Sequence, residues 1–242
     1  MNQQLLNSPY MRWVKNLLPA LKGRPPVGWV NFGSLRRVTP ISREFGYDRG
    51  LPVDRYYIEN FLARHSNDIK GRVLEIGDDS YTRQFGGDRV TTRDVLHVKE
   101  GNPIATFVGD LTNADHIPSD AFDCFILTQT LHLVYDFRVA LKTIYRILKP
   151  GGVILATVPG ISQISTDEWA DYWCWSFTTL SAQRLFEEFF PPENVQVETY
   201  GNVLSAIAFL QGLSFTELTK EELDHRDRCY ELLITIRAVK PQ

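Results

Sequence analysis

The sequence predicts an α/β protein built on a doubly wound, mostly parallel seven-stranded sheet with an N-terminal cap. From Arg72 onward, short apolar runs alternate with helical stretches, which indicates parallel strands joined by right-handed crossovers. Residues 122–128 are apolar at almost every position, as expected for a strand that is buried on both faces. Residues 136–148 repeat apolar side chains at helical spacing and end at a Pro-Gly-Gly turn.

The other elements follow from the same patterns. Residues 54–65 carry apolar side chains at helical spacing behind Asp54, a residue type that caps helices. Residues 181–189 predict a further helix. The predicted strands are short apolar runs bounded by turn residues, and they cover residues 72–76, 90–94, 104–108, 122–128, 153–158, 195–200 and 232–239.

The front of the chain differs from the rest in composition and charge. It is rich in Pro, Gly and Arg without a sustained period, so we expect residues 1–53 to form an arm or lid and residues 54–242 the main domain. Up to Arg55 nine basic residues stand against three acids, a net of +6, although the whole chain carries −3. A basic front can meet an anionic substrate or a membrane surface, or can be a solvated lead-in. Residues 10–21 mix Trp, Leu and basic residues and suit either a bilayer surface or packing on the protein itself.

Composition narrows the class of protein. No apolar run reaches the roughly 18 residues of a membrane span, and the start has no signal-peptide core, so we expect a cytoplasmic protein. Three scattered cysteines predict free thiols and no metal site. The charge of −3 gives no reason to expect nucleic acid as a partner. The expected partner is a small-molecule or glycan acceptor, with peripheral membrane contact and oligomeric state left open.

Ligands in doubly wound folds bind beyond the carboxyl ends of the strands, so the loops there are candidate sites. The first loop follows V-L-E-I-G at residues 73–77, where an acid and then a glycine let the backbone turn sharply and approach a ligand. Asp78 and Asp79 come next, and two carboxylates repel a pyrophosphate but suit a cationic ligand.

The second and third loops each offer an acid. Asp94, followed by Val95, ends the predicted strand 90–94, and a carboxylate there can accept both hydroxyls of a ribose. Nicotinamide-binding domains hold the ribose of their cofactor in the same way, so Asp94 alone does not show which nucleoside-containing cofactor binds. Asp110 and Leu111 follow the third strand, where the acid suits either a ligand contact or a helix N-cap.

The fourth loop is L-T-Q-T-L-H-L-V-Y-D at residues 127–136, in which Gln129 and His132 are the polar members expected to face the cleft. These four loops, with K-P-G-G at residues 149–152, occur in order over residues 71–160. Together they resemble the class I S-adenosylmethionine-dependent methyltransferases that act on small molecules.

The resemblance implies a Rossmann-like methyltransferase fold with S-adenosylmethionine as cofactor. Gly77 would lie under the cofactor, Glu75 would help to hold its methionine ammonium group, and Asp110 with Leu111 would contact its adenine edge. The family usually has a second glycine where this chain has Asp79. The cofactor-binding residues expected on this basis are Glu75, Gly77, Asp78, Asp94, Val95, Asp110, Leu111 and Gln129.

The acceptor is expected near two aromatic segments. Three tryptophans within residues 169–175 are either a wall for a sugar, whose C–H faces stack on aromatic rings, or an anchor for an irregular loop. Related enzymes with such a segment belong to bacterial glycan and secondary-metabolite pathways. Residues 43–57 are predicted to form a lid or an ordinary ion-pair cluster. The candidate substrate-binding residues are Arg49, Tyr56, Tyr172 and Trp173.

Methyl transfer to a hydroxyl requires alignment, exclusion of water and removal of a proton. His132 is the candidate general base and His97 the second, with a core histidine as the alternative for each. From the Trp-rich segment, the basic front and the related enzymes, we expect O-methylation of a sugar or another small-molecule hydroxyl.

Two other functions stay open on the sequence. The first is a catalytically inactive methyltransferase-like binding module, which the Asp78-Asp79 loop suggests. The second is a nicotinamide-dependent reductase or epimerase, which Tyr145 and Lys149 suggest by their Tyr-x-x-x-Lys spacing. No G-x-G-x-x-G follows the first strand, which argues against the second alternative.

Overall fold

The computed structural model describes residues 24–242. The chain divides into two compact units, one up to Thr39 and one from Pro40 to Gln242. In the first unit the described residues contain one short 3-10 turn, Gly33–Leu35. The predicted surface segment 10–21 lies outside the described residues. Residues 40–53, which the sequence assigned to the arm, are part of the second unit.

The second unit contains a seven-stranded sheet in the order β3-β2-β1-β4-β5-β7-β6. Strands β1 to β5 pair in parallel, whereas β7 is antiparallel to both of its neighbours, β5 and β6. The sheet therefore has the predicted number of strands but is mixed, because the last strand enters between β5 and β6 from the opposite direction. The strands are β1 Gly71–Ile76, β2 Val90–His97, β3 Phe107–Val108, β4 Phe122–Thr128, β5 Leu148–Pro159, β6 Val195–Tyr200 and β7 Leu233–Val239.

Helices cover both faces of the sheet, as the doubly wound prediction requires. They are α1 Val53–Arg64, α2 Phe137–Ile147, α3 Thr179–Glu187, α4 Val203–Leu210 and α5 Lys220–Asp224. In β4, Phe125 and Leu127 pack in the core under α2 and α3, whereas Cys124 and Ile126 pack in the core under α1 and α4. Alternate residues of β4 thus face two apolar layers, which explains why this strand is apolar throughout.

Two boundaries that bear on the site differ from the prediction. Strand β2 continues to His97, because Val95 and Leu96 still pair with β1 and Leu96 and His97 pair with β3. Helix α1 begins at Val53, so Asp54 lies inside its first turn, and the prediction that Asp54 caps the helix is wrong. No helix within residues 24–242 is long and apolar enough to cross a bilayer.

Candidate active site

A cavity of about 850 Å³ opens at the carboxyl ends of β1, β2 and β4. The strand order reverses between β1 and β4, which is where doubly wound folds place their ligands. Its floor includes Gly77 after β1, His97 at the end of β2 and Gln129 after β4. The volume lies within the range of cavities that enclose small-molecule ligands, roughly 300–1,000 Å³.

Four of the predicted cofactor-binding residues line this cavity, namely Gly77, Asp110, Leu111 and Gln129. Gly77 has a φ of +83°, and a Cβ placed on it would meet nothing within 4 Å. It therefore turns the chain sharply and leaves space above the end of β1. Asp110 accepts a hydrogen bond from the Thr112 amide at 2.7 Å, so it caps a turn and lines the cavity at once.

The twin aspartates after Gly77 do not fill the cavity. Asp78 accepts from the Ser80 amide at 2.8 Å and is exposed. Asp79 forms ion pairs with Arg83 at 2.8 Å and Arg93 at 3.3 Å. Neither aspartate lines the cavity, so the feature that suggested an inactive module leaves the space above Gly77 open.

Glu75, at the end of β1, is engaged by the turn that follows it. Its carboxylate accepts from the Thr82 amide at 2.8 Å, the Thr82 hydroxyl at 2.7 Å and the Tyr81 amide at 3.2 Å. Burial raises the pKa of Glu75 to about 7, although these hydrogen bonds act in the opposite direction. Glu75 does not line the cavity, so the structure does not bring it to the predicted ammonium site.

Asp94 and Val95 also lie away from the cavity. The prediction that Asp94 ends its strand is wrong, because β2 runs three residues further. The Asp94 carboxylate is bound by Arg72 at 2.7 Å, and a buried carboxylate needs such a partner. Val95 is a core residue, 2% exposed. The ribose role assigned to Asp94 therefore has no support from its placement.

A polar pair that was not predicted from the sequence lies between α1 and the end of β4. Gln129 donates from Nε2 to Asp54 Oδ2 at 3.2 Å, and both residues line the cavity. Asp54 is only 6% exposed, yet its Oδ1 has no partner among the described residues, and neither has Oε1 of Gln129. Gln129 has a φ of +45°, which is strained backbone of the kind that occurs at functional sites.

Arg55 also lines the cavity, next to Asp54 on α1. Its guanidinium donates to the Tyr47 hydroxyl at 2.8 Å and to the Tyr81 hydroxyl at 3.1 Å. Burial lowers the pKa of Arg55, but the charge of Asp54 and the two phenols outweigh it and raise the pKa above its ordinary value. The signal in the sequence was an acid next to a base at a helix start, but Asp54 was interpreted as a cap and Arg55 only as part of the basic front.

His132 lines the same cavity on its other side. Its side chain is buried, and its Nδ1 has no partner among the described residues. The imidazole lies against Trp173, with ring centroids 4.3 Å apart. Desolvation lowers the pKa of His132 to about 4, so the ring is neutral at physiological pH.

The aromatic segment divides between the cavity and the core. Tyr172 and Trp173, both predicted to bind substrate, line the cavity together with Trp169. Trp175 instead donates to the Val134 carbonyl at 3.2 Å and packs against the core. Trp175 is therefore a loop anchor, whereas the ligand wall stays a prediction for Trp169 and Trp173.

The lid residues predicted to bind substrate lie elsewhere. Arg49 is bound by both carboxylate oxygens of Glu217 at 2.9 and 2.7 Å. Tyr56 donates to Asp224 at 2.7 Å. Neither lines the cavity, because these partners on the second half of the chain hold them outside it. The segment 43–57 contributes other residues to the cavity, namely Arg43, Glu44, Phe45, Tyr47, Pro52, Asp54 and Arg55.

The Tyr-x-x-x-Lys pair also lies outside the cavity. The Tyr145 ring packs edge-on against Phe190, and Lys149 is paired with Asp123 at 2.7 Å. These contacts are structural, so the geometry does not support the reductase alternative.

The described lining of the cavity is acidic. Its basic side chains are Arg43 and Arg55. Its acids are Glu44, Asp54, Asp110, Asp136, Asp167 and Asp171. An excess of carboxylates favours a cationic ligand and disfavours a phosphorylated one. Within residues 24–242 no group of three or more His, Cys, Asp and Glu side chains is arranged to hold a metal ion.

Comparison with known proteins agrees with this architecture. A family model described as a methyltransferase domain matches residues 79–156. The fold matches a solved S-adenosylmethionine-dependent methyltransferase from Mesorhizobium loti with a TM-score of 0.52 and 18% identity, over 74% of this chain and 95% of that one. A second such structure, from Archaeoglobus fulgidus, matches with a TM-score of 0.52 and 12% identity, over 77% and 94% of the two chains.

Fold, cavity and domain match together confirm the resemblance to the class I S-adenosylmethionine-dependent methyltransferases. Among individual relatives, the ubiquinone/menaquinone biosynthesis C-methyltransferase UbiE of Haemophilus ducreyi is 47% identical over 90 residues, which are 36% of this chain and 28% of that protein. The chain thus spans less than a third of the length of the curated relatives that it matches.

S-adenosylmethionine is the cofactor of this class, and the residues present fit it. The space above Gly77 admits a ligand next to the backbone. Unpartnered buried atoms on Asp54, Gln129 and His132 line the cavity and require polar partners. The acidic lining matches the positive charge of a sulfonium.

Proposed function

We propose that this chain is an S-adenosylmethionine-dependent methyltransferase that methylates a hydroxyl of a sugar or another uncharged small molecule. The observation that carries the proposal is the open cavity at the switch point, with buried polar atoms that no described residue satisfies. When bound, S-adenosylmethionine supplies a methyl group on a positively charged sulfur. Gly77, Asp110 and Leu111 would hold it.

Residues on the acceptor side of the cavity would remove the proton and align the acceptor. His132 presents a neutral imidazole whose unpartnered Nδ1 can accept a hydrogen bond from an acceptor hydroxyl and then its proton. Trp173 packs on that ring, restricts its rotation and excludes water from it. Alignment of this kind contributes several kcal/mol, roughly 7–11 in well-oriented model reactions.

The aromatic wall and the charge of the cavity support this acceptor class. Trp169, Tyr172 and Trp173 offer aromatic faces that suit the C–H faces of a sugar ring. Asp167 and Asp171 line the same side, and carboxylates accept hydrogen bonds from several hydroxyls. The same acids would repel a phosphorylated acceptor.

Binding and transfer assays test the proposal. Calorimetric titration with S-adenosylhomocysteine is expected to show saturable binding, whereas NADH is not. Methyl transfer from labelled S-adenosylmethionine is expected to neutral sugars and glycosides and not to sugar phosphates. Absence of S-adenosylhomocysteine binding at millimolar concentration would overturn the cofactor assignment, and binding without transfer to any acceptor would favour the inactive module.

A second acceptor class has one observation in its favour. The rings of Phe45 and Trp173 lie stacked at 6.3 Å with an angle of 11° between them, and both line the cavity. Such flat apolar faces also suit a planar ring, and the relative from Haemophilus ducreyi is a ubiquinone/menaquinone biosynthesis C-methyltransferase. Including quinols in the acceptor panel decides between the two: transfer to ring carbon alone would replace O-methylation.

A further inference from the structure

The loop after β1 does not present its acid to the cavity, although the resemblance assigns that acid to the ammonium group of the cofactor. All donors around the Glu75 carboxylate come from the chain itself. A different acceptor for an ammonium group is therefore required if the proposed function holds.

The polar pair between α1 and the end of β4 supplies such acceptors. A carboxylate accepts hydrogen bonds and does not donate them, so the Gln129 group that faces Asp54 is the amide nitrogen. This fixes the orientation of the amide and leaves its Oε1 as an acceptor beside Asp54 Oδ1. Both atoms are buried without a partner among the described residues, and an ammonium group donates up to three hydrogen bonds.

The pair is held in place from both sides. Gln129 is fixed by its backbone amide, which donates to the Thr157 carbonyl on β5 at 3.0 Å. Asp54 lies in the first turn of α1, whose buried face packs on the sheet. Arg55 follows at once, and its guanidinium is held by Tyr47 and by Tyr81, which belongs to the loop after β1. A carboxylate and a guanidinium therefore stand together where the loops after β1 and β4 meet.

We infer that Asp54 and Gln129 bind the ammonium group of the amino-acid end of S-adenosylmethionine and that Arg55 binds its carboxylate, in place of the acid that ends β1. The inference rests on the proposed function, since it concerns the cofactor of that reaction. It assigns the amino-acid end to α1, a helix outside the matched methyltransferase domain of residues 79–156.

Truncated ligands separate this inference from a general effect on the site. S-adenosylhomocysteine carries the amino-acid end, whereas 5′-methylthioadenosine lacks it. In calorimetric titrations, Asp54→Asn is expected to raise the Kd for S-adenosylhomocysteine by about 10- to 100-fold and to change the Kd for methylthioadenosine less than twofold. Asp110→Asn, at the adenosine end, should weaken both ligands by the same factor. Glu59→Gln removes a carboxylate from the same helix outside the cavity and should change neither.

Arg55 and Gln129 have tests of their own. Arg55→Gln should weaken the binding of S-adenosylmethionine. It should not weaken the binding of decarboxylated S-adenosylmethionine, which has no carboxylate. Gln129→Asn keeps a residue that tolerates positive φ and shortens the reach, so it provides a second variant should Asp54→Asn unfold.

The outcomes are distinct. If wild type binds neither adenosyl ligand, the proposed function fails. If wild type binds both and Asp54→Asn or Gln129→Asn weakens them equally, the function stands and the amino-acid assignment is wrong.

Discussion

At the scale of single residues, the proposed role of His132 predicts how activity depends on pH. Its pKa is lowered to about 4, and the neutral form that accepts a proton is present above that value. We expect kcat/KM to stay level from pH 8 to pH 5 as far as this group is concerned. His132→Gln should lower kcat by about 100-fold and leave the Kd for S-adenosylhomocysteine unchanged. An acid limb near pH 6.5 that disappears in this variant would contradict the lowered pKa, and an unchanged kcat in the variant would contradict the role of His132 as the base.

Glu75 makes the free energy of unfolding depend on pH. Its pKa is raised from 4.5 to about 7, so folding favours the protonated form. The stabilisation from this group is fully present below pH 4.5 and is lost as the pH rises through 7. From pH 4.5 to 7.5, the free energy of unfolding of Glu75→Gln should therefore rise relative to wild type by about 3 kcal/mol. Urea unfolding at several pH values measures the difference, and parallel curves would refute it.

Burial explains why neither titration was visible in the sequence. A histidine after a strand and an acid before a glycine are recognisable as types and positions. Their pKa values depend on which neighbours desolvate them, and those neighbours come from distant segments such as Trp173. Residue type and order were thus predictable, whereas protonation was not.

At the scale of elements, the turn after β1 leaves open the space at the end of the strand. Gly77→Val would place a side chain in the open space above the strand and force a β-branched residue to a φ of +83°. We expect loss of S-adenosylhomocysteine binding by at least about 100-fold and a fall in stability of about 1–3 kcal/mol.

Gly87 provides the matched control for this variant. It also has positive φ, +56°, and a Cβ there would meet nothing within 4 Å, but it does not line the cavity. Gly87→Val should lose comparable stability and keep its affinity. Equal losses of affinity in both variants would mean that strain, and not the filled space, is responsible.

At this scale the sequence predicted the order of the elements better than the end of strand β2. The order of elements and the loops after β1 and β4 came from apolar periodicity, and Gly77, Gln129 and His132 do meet at one cavity. Asp94 was misplaced because an acid in a strand suggested its end, whereas Arg72 neutralises it inside the sheet. Apolar periodicity does not show which charged side chains pair across strands. The end of β2 was predicted wrongly because the pairing of Asp94 with Arg72 is not visible in the sequence.

At the scale of the whole molecule, cofactor binding should stabilise the fold. A ligand at 100 times its Kd adds about 2.7 kcal/mol to the free energy of unfolding. For a unit of about 200 residues this corresponds to a rise in Tm of roughly 5–10 °C. Thermal unfolding with S-adenosylhomocysteine should show the shift in wild type and Gly87→Val, and not in Gly77→Val. A rise in Tm with NADH would instead support the reductase alternative.

The acidic cavity adds a dependence on salt that distinguishes the cofactor from its product. Six acids and two arginines line it, and S-adenosylmethionine carries one more positive charge than S-adenosylhomocysteine. Salt screens attraction between charges that solvent can reach, with a Debye length of about 10 Å at 0.1 M and 3 Å at 1 M. Raising the salt concentration from 0.05 to 0.5 M should therefore weaken S-adenosylmethionine more than S-adenosylhomocysteine in calorimetric titrations. Identical salt dependence for the two would show that the lining acids do not act on the sulfonium, and the charge argument for an uncharged acceptor would lose its basis.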